Sequence, residues 1–261
     1  MAIILVPAQK GGFPQAQALN ETFTDAFRGM DISIAVIDPM YMTGDDLDRI
    51  LDAVDGIMIP GDNDDVHPAL YGEKAKQRTI LPEYARSRAE CALVHVALQR
   101  QIPFFGLCRG GQVAAVALGG ALKQHVNGHM GVPIRHSKGY TRFSEIRHDI
   151  IIEEDSLLYE IAQTDRVNVN SYHHQAIKES SLPDSLVVVA RSEDGVVEAM
   201  EYTGESPFFL TIQWHPEKTP DEPLSAAVLQ AFSEACHIYE RENHPEEYIA
   251  AAKAAEARKR K

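Results

Sequence analysis

At 261 residues the chain could form one large domain or two small ones, and a single α/β domain of this size can bury a generous core. Its hydrophobic content of 44% and charged content of 24% are those of an ordinary globular protein. The net charge of −13 disfavours non-specific nucleic-acid binding, and the longest apolar runs are strand-sized, which argues against a membrane span.

The N-terminal residues and the cysteines bear on the cellular compartment. No basic region is followed by an apolar run and a small-residue cleavage site, so we expect a cytoplasmic protein without a secretory signal. Cys91, Cys108 and Cys236 are too few for a disulfide framework and contain no C-x-x-C pair. We expect no cofactor, and no nucleic-acid or membrane partner. The sequence leaves the oligomeric state open, with a homodimer as one possibility.

Apolar runs alternate with helical spacings along the first half of the chain. Strands are predicted at 3–6, 32–37, 56–59 and 104–107, and helices at 15–28, 45–54, 82–100 and 110–118. Further strands are predicted at 150–152, 167–169, 186–190, 196–200 and 208–213, before a closing helix at 224–239. This order predicts an α/β three-layer sandwich around a mainly parallel, doubly wound sheet. We expect one domain over residues 1–242 and a charged helical or disordered tail over 243–261.

The most informative segment surrounds Cys108. A hydrophobic strand enters a Gly-x-Cys-x-Gly turn, with Gly106 and Gly110 on either side of the cysteine, and a helix leaves it. The glycines remove the β-carbons that would clash in so sharp a bend. The turn lifts the thiol above the carboxyl edge of the sheet, at a helix N-terminus that favours the thiolate. Because inert cysteines at strand ends are common, this spacing alone leaves catalysis undecided.

A second segment, Gln213-Trp214-His215-Pro216-Glu217, supplies a candidate base. Cysteine hydrolysis needs a base that holds the thiolate and then protonates the departing amine, which His215 could do. It also needs an acceptor on the far imidazole nitrogen, and Glu217 follows two residues later. Because His215 and Cys108 both lie at predicted strand ends of one parallel sheet, we expect them to meet.

Five motifs together resemble a known family. The elbow at Cys108, the run at 213–217, Asn170-Ser171-Tyr172-His173-His174-Gln175-Ala176 and Ala117-Leu118-Gly119-Gly120-Ala121-Leu122 are similar to those of class I glutamine amidotransferase-like hydrolases, which have a flavodoxin-like fold. The run from Pro60 to Glu73 resembles the γ-glutamyl-γ-aminobutyrate hydrolase branch. The resemblance covers about residues 56–217 in the same order. It departs from the family at Pro60 and at Gly111, where we expect the missing side chain to enlarge the pocket.

The resemblance implies an activity. It implies a triad of Cys108, His215 and Glu217 that cleaves a γ-glutamyl amide through a thioester, releasing glutamate and an amine in polyamine or amine breakdown. A glutaminase subunit that delivers ammonia to a separate synthase uses the same triad and stays open. The intact triad argues against a catalytically silent fold used for binding or regulation.

The resemblance also implies roles for neighbouring residues. The backbone N–H groups of Gly61 and Arg109 would form the oxyanion hole, since a tetrahedral intermediate needs preorganised donors. Gln112 and the backbone near Ser171, Tyr172 and His173 would hold the glutamyl group.

Four histidines between residues 125 and 148, which lie between these motifs, do not suggest a metal site. Of His125, His129, His136 and His148, only the first two have helical i, i+4 spacing, and a predicted loop separates them. His173 and His174, adjacent in a predicted strand, would point to opposite faces. We therefore expect no metal. The acidic run 62–65 lacks the glycine and glutamate of a calcium loop. The basic stretch 128–143 is expected to form a loop over the pocket.

Overall fold

The computed structural model describes residues 1–41, 44–76, 79–80, 83–126, 136 and 146–245. The strands are β1 Ala2–Pro7, β2 Ile32–Ile37, β3 Gly56–Ile59, β4 Phe104–Leu107, β5 Leu122–Lys123, β6 Arg147–Ile152, β7 Arg166–Asn170, β8 Ala176–Ile177, β9 Leu186–Ser192, β10 Val197–Tyr202 and β11 Phe209–Ile212. The helices are α1 Phe13–Ala26, α2 Gly44–Leu51, α3 Tyr84–Gln99, α4 Arg109–Ala117, α5 Leu157–Ala162 and α6 Pro223–Asn243.

Nine of these strands form one mixed sheet in the order β2-β1-β3-β4-β11-β10-β9-β6-β7. The strands from β2 to β11 in this order are parallel, and the remaining pairs are antiparallel. β4 lies between β3 and β11, with Gly106 paired to both Ile59 and Thr211. The segments that follow β3, β4 and β11 therefore emerge together at one edge of the sheet, where α/β folds place their sites.

The central strands are covered on both faces. All residues of β3, β4 and β11 are buried, which is the continuous apolar pattern of a parallel sheet with helices on each side. On one face Phe105 packs with Phe232 of α6, and on the other Phe104 belongs to a cluster with Val94 of α3. The predicted α/β class with a doubly wound sheet is confirmed, and the antiparallel half makes the sheet mixed.

The predicted boundaries of β2, β3 and β4 agree with the structure, and two other expectations differ. The spacing of apolar residues that predicts a helix at 82–100 did not indicate that α3 also buries Arg86, Ser87 and Glu90. His173 and His174 lie between β7 and β8 in an irregular segment, not in a strand. Both differences arise because long-range contacts, rather than local periodicity, decide what these residues face.

Some expectations fall on residues outside the described part of the chain. These are His129, the basic stretch 128–143 apart from His136, and the tail beyond residue 245. Among the described residues, no helix combines the length and the apolar character needed to cross a membrane.

Candidate active site

Cys108 occupies a strained turn between β4 and α4. Its φ of 48° and ψ of −103° lie outside the regions that side chains usually adopt. Backbone hydrogen bonds from Cys108 N to Ile212 O, 2.7 Å, and from Gln112 N to Cys108 O, 3.3 Å, hold this conformation. A β-carbon at Gly110 would collide with the carbonyl oxygen of Ile59, so the elbow requires glycine there. The predicted elbow is thus present as a strained turn at the sheet edge.

His215 follows the end of β11 and is fixed from two directions. Its Nδ1 lies 2.5 Å from Glu217 Oε1, and Glu217 is held in the short 3-10 turn Pro216–Lys218. The side chain of Asn170 brackets the His215 backbone, donating from Nδ2 to His215 O at 2.8 Å and accepting from His215 N at 2.9 Å. Asn170 ends β7, so the far strand of the sheet positions the base.

The charges around His215 favour its protonated form. Burial by itself lowers the pKa of the imidazole, but the Glu217 carboxylate and the Cys108 sulfur, which also hydrogen-bond the ring, raise this pKa to about 10. The imidazole therefore keeps a proton at neutral pH while it lies between the sulfur and the carboxylate. The structure thus brings Cys108, His215 and Glu217 together as the sequence predicts.

Gln112 reaches the sulfur only through a second amide. Its buried Nε2 donates to Gln175 O at 3.1 Å and to Gln213 Oε1 at 3.2 Å. Gln213 Nε2 in turn lies 3.4 Å from Cys108 Sγ, where it can donate to a thiolate. No role for Gln213 was predicted from the sequence, although Gln213 begins the motif that contains His215. Its position directly after β11, beside the elbow, could have indicated a contact with Cys108.

Gly61 lies closer to the side chains of Cys108 and His215 than any residue with a β-carbon could. A β-carbon there would collide with His215 Cε1 and lie 3.2 Å from Cys108 Cβ. Gln9, which follows β1, fixes this peptide by donating from Nε2 to Gly61 O at 2.5 Å, and sequence analysis missed it too. Arg109 is the first residue of α4, where backbone N–H groups lack helical partners. Both predicted oxyanion-hole residues thus border Cys108.

One expectation about the pocket is wrong. A β-carbon at Gly111 would lie 3.3 Å from Thr211 Cβ and 3.5 Å from Ile212 O. Gly111 therefore packs against β11 beneath the helix, and its missing side chain does not enlarge the pocket. It allows α4 to approach the sheet closely.

The segment Ser171 to His173 divides its side chains between the pocket and the interior. The Tyr172 ring packs edge-on against His215 with centroids 5.5 Å apart, and Lys218 Nζ lies 3.9 Å from the Tyr172 centroid. Ser171 Oγ donates to His136 O at 3.0 Å, and His173 is buried. The side chains of Ser171 and His173 thus make interior contacts, which leaves the backbone as the part of these two residues that could meet a substrate.

A cavity of about 290 Å³ opens beside the base. Its lining includes Gln9, Pro60, Gly61, Tyr172, His215 and Lys218. This volume suits a small molecule, and its polar groups come from five different segments of the chain, of which one is helix α1.

A chain of buried charges supports the elbow from behind. Arg109 Nη1 donates to Glu90 Oε2 at 2.6 Å, and Arg86 Nε donates to Glu90 Oε1 at 3.1 Å. Arg86 Nη2 continues to Asp62 Oδ2 at 2.5 Å, so the acidic run after β3 contacts a buried arginine. This network ties α3, α4 and the segment beside Gly61 to one another.

Tertiary contacts bring together histidines whose spacing in the sequence gives no sign of a shared site. His136, His148 and His173 converge on Glu198, with one ligand atom of each residue within 4.8 Å of the others. His174 points elsewhere, with Nε2 2.8 Å from Asp65 Oδ1, so the two adjacent histidines do diverge as predicted. Local spacing along the chain cannot reveal this cluster, because its ligand atoms come from segments that are far apart in the chain.

Comparison with known proteins agrees with this geometry. The family model described as Peptidase C26 matches residues 8–217, which include every residue of the candidate triad. The chain belongs to this family. The match confirms the predicted resemblance to class I glutamine amidotransferase-like hydrolases and makes the protein a hydrolase of this group.

Two relatives within the reach of sequence comparison show which proteins this chain is similar to. The chain is 36% identical over 239 residues to the gamma-glutamyl-gamma-aminobutyrate hydrolase of Escherichia coli O157:H7, covering 87% of this chain and 90% of the relative. It is 37% identical over 204 residues to a Mycobacterium tuberculosis protein provisionally named as a glutamine amidotransferase, covering 76% of this chain. The chain spans 63% of the length of that relative.

The fold also matches a solved structure. The glutaminase domain of Trypanosoma brucei CTPS with bound acivicin superposes with a TM-score of 0.64, covering 91% of this chain and 94% of the domain. At 20% sequence identity this likeness supports the fold alone.

Proposed function

We propose that this protein hydrolyses the γ-glutamyl amide bond of a γ-glutamyl amine, with Cys108 as the nucleophile. The observation that carries the proposal is the contact of the Cys108 sulfur with His215, whose other ring nitrogen lies 2.5 Å from Glu217. The 36% identity to a relative named gamma-glutamyl-gamma-aminobutyrate hydrolase supports the choice of substrate class.

The first half of the reaction forms a thioester. The Cys108 thiolate attacks the amide carbonyl carbon, and the carbonyl oxygen becomes an oxyanion facing the backbone N–H groups of Gly61 and Arg109. The His215 imidazolium donates its proton to the nitrogen of the departing amine. The C–N bond then breaks, the amine leaves, and the glutamyl group stays bound to sulfur.

The second half releases glutamate. His215, now neutral, takes a proton from water as the water oxygen attacks the thioester carbonyl. The C–S bond breaks, the sulfur leaves as thiolate, and the proton remains on His215, which restores the starting pair. Glu217 stabilises the imidazolium in both halves because it accepts the hydrogen bond from Nδ1.

The test is glutamate release from γ-glutamyl-γ-aminobutyrate and from other γ-glutamyl amines by the purified protein. We expect Cys108→Ala to lower kcat by roughly 10⁴-fold or more. Cys91→Ala is the matched control, because burial raises the pKa of the Cys91 thiol to about 12 and keeps it protonated. Wild-type protein that turns over no γ-glutamyl amide would refute the proposal.

The glutaminase alternative has one observation in its favour, the 37% identity to a relative provisionally named as a glutamine amidotransferase. It predicts that glutamine is hydrolysed only when a separate synthase is bound. Efficient turnover of γ-glutamyl amines by the isolated chain, faster than that of glutamine, would exclude it.

A further inference from the structure

We infer that His136, His148, His173 and Glu198 form a structural zinc site, separate from the catalytic residues. The facing atoms are His136 Nδ1, His148 Nε2 and His173 Nε2, which lie 3.6, 3.4 and 3.5 Å from Glu198 Oε1. This reverses the expectation from sequence that the protein holds no metal.

These separations fit tetrahedral coordination. With Zn–N and Zn–O bonds of 2.0–2.2 Å, neighbouring ligand atoms of a tetrahedral site lie about 3.3–3.5 Å apart. All four side chains are at most 3% exposed, so the protein supplies every ligand and no position is open to solvent. The widest separation in the cluster is 4.8 Å, and a bound ion would draw that pair together.

The outer nitrogens of the rings fix which way the lone pairs point. His136 Nε2 lies 3.0 Å from Asp194 Oδ2, His173 Nδ1 lies 2.9 Å from Gln175 O, and His148 Nδ1 lies 3.3 Å from Asp149 O. Carboxylates and carbonyls accept hydrogen bonds, so each outer nitrogen of a neutral ring carries the proton. The inner nitrogens then present lone pairs to the centre. Carboxylate or carbonyl partners of this kind are the usual support of metal-bound histidine.

Three of the four facing atoms meet no hydrogen-bond donor within the described part of the chain. His148 Nε2, His173 Nε2 and Glu198 Oε1 are buried and have no hydrogen-bond partner among the residues described here. Three buried acceptor atoms that face one another are costly unless a proton or a metal cation lies between them. Imidazole nitrogen with one carboxylate oxygen in a tetrahedral arrangement suits Zn²⁺ better than Mg²⁺ or Ca²⁺, which prefer six or more oxygen ligands.

The site would join segments that position the catalytic base. His148 lies on β6 and Glu198 on β10, while His173 immediately follows Tyr172, whose ring packs on His215. Gln213 N donates to Glu198 O at 2.7 Å, so the strand that carries the carboxylate also supports the amide beside the Cys108 sulfur. The ion would therefore act as a cross-link behind the active site and would not contact the substrate.

The experiment measures metal content in the full-length protein purified without chelators, by mass spectrometry of the elements. We expect about one zinc per chain in the wild type, and at least a tenfold lower content in Glu198→Gln and His148→Ala. His95→Ala is the matched control for loss of a histidine, since His95 is exposed on α3. Cys108→Ala should keep its zinc, which separates this site from metal bound at the nucleophile.

Two further measurements keep the test decisive if a ligand variant fails to fold. Replacement of zinc by Co²⁺ should give the intense visible absorption of a tetrahedral cobalt site, and removal of the metal should lower the Tm of the wild type but not that of Glu198→Gln. Asp194→Asn, which leaves all four proposed ligands in place but removes the carboxylate that faces His136 Nε2, should weaken zinc binding roughly 10–100-fold. Wild-type protein with less than about a tenth of a zinc per chain after reconstitution, or loss of zinc in Cys108→Ala, would overturn the inference.

Discussion

At the scale of single residues, the candidate site depends on how closely the backbone at Gly61 approaches the side chains of Cys108 and His215. The contact is made on one side by the elbow, where Cys108 has a φ of 48°, and on the other by the imidazole of His215. The position of this peptide is set by Gln9 and by the end of β3, so it is preorganised before any substrate arrives.

Gly61→Ala should lower kcat for γ-glutamyl amide hydrolysis by about 10²–10³-fold, because the new methyl group collides with the His215 ring and displaces the oxyanion donor. Steady-state kinetics of glutamate release measure this effect. Gly44→Ala is the matched control, since nothing lies within 4 Å of its added β-carbon, and its kinetics should be unchanged. Equal activity of the two variants would contradict the assigned role of Gly61.

Glu217→Gln should change the pH profile of kcat/KM. The Glu217 carboxylate is the strongest of the groups that raise the pKa of His215 against the lowering effect of burial, so its loss lowers that pKa. The proton that His215 must donate to the amine is then lost at lower pH, and the alkaline limb of the profile moves to lower pH. Glu234→Gln, an exposed carboxylate on α6, serves as the control. An alkaline limb that stays in place in Glu217→Gln would argue against this pairing.

At the scale of elements, α3 and α4 are joined by charge as well as by apolar packing. Glu90 lies buried on α3 between Arg86 and Arg109, and Arg109 is the residue that follows the nucleophile. A buried carboxylate with two guanidinium partners satisfies groups that would otherwise be costly to bury. The elbow is therefore held by β4, which leads into it, and by this ion network, which fixes Arg109 directly after it.

Glu90→Gln should lower the free energy of unfolding by about 3–5 kcal/mol, because it leaves the buried Arg109 guanidinium without its counter-charge and removes one of the carboxylates that face Arg86. Denaturant unfolding followed by the fluorescence of the buried Trp214 measures this change. Asp25→Asn removes the carboxylate of the exposed Arg28–Asp25 pair and should cost about 1 kcal/mol or less. Similar costs in the two variants would contradict a special contribution from the buried network.

At the scale of the whole molecule, the site is assembled where the parallel and antiparallel halves of the sheet meet. The nucleophile follows β4 and the base follows β11, its parallel neighbour, while Asn170 reaches the base from β7 at the antiparallel edge. Helix α6 closes the fold by packing Phe232 against Phe27 and Phe105, which ties the last helix to the first helix and to the nucleophile strand. The histidine cluster lies among the antiparallel strands, so both halves support one site.

The sequence by itself determined the α/β class, the positions of β2, β3 and β4, and the convergence of Cys108, His215 and Glu217 at one edge of the sheet. Strand periodicity and the glycines of the elbow are local, and the ends of parallel strands meet at one edge whatever else the fold does. Local pattern therefore sufficed to predict where these side chains come together.

Only the tertiary structure decided the roles of residues whose partners are distant in sequence. Gln9 and Gly61 are hydrogen-bonded although 52 positions separate them in the sequence, and Gln213 and Cys108 are in contact at a separation of 105 positions. Glu198 lies beside three histidines that come from separate segments. Such contacts leave no periodic or motif-like trace, because burial and hydrogen bonding act between side chains that the chain order does not relate. The supporting contacts of Gln9 and Gln213 and the proposed zinc site were for this reason beyond the reach of sequence.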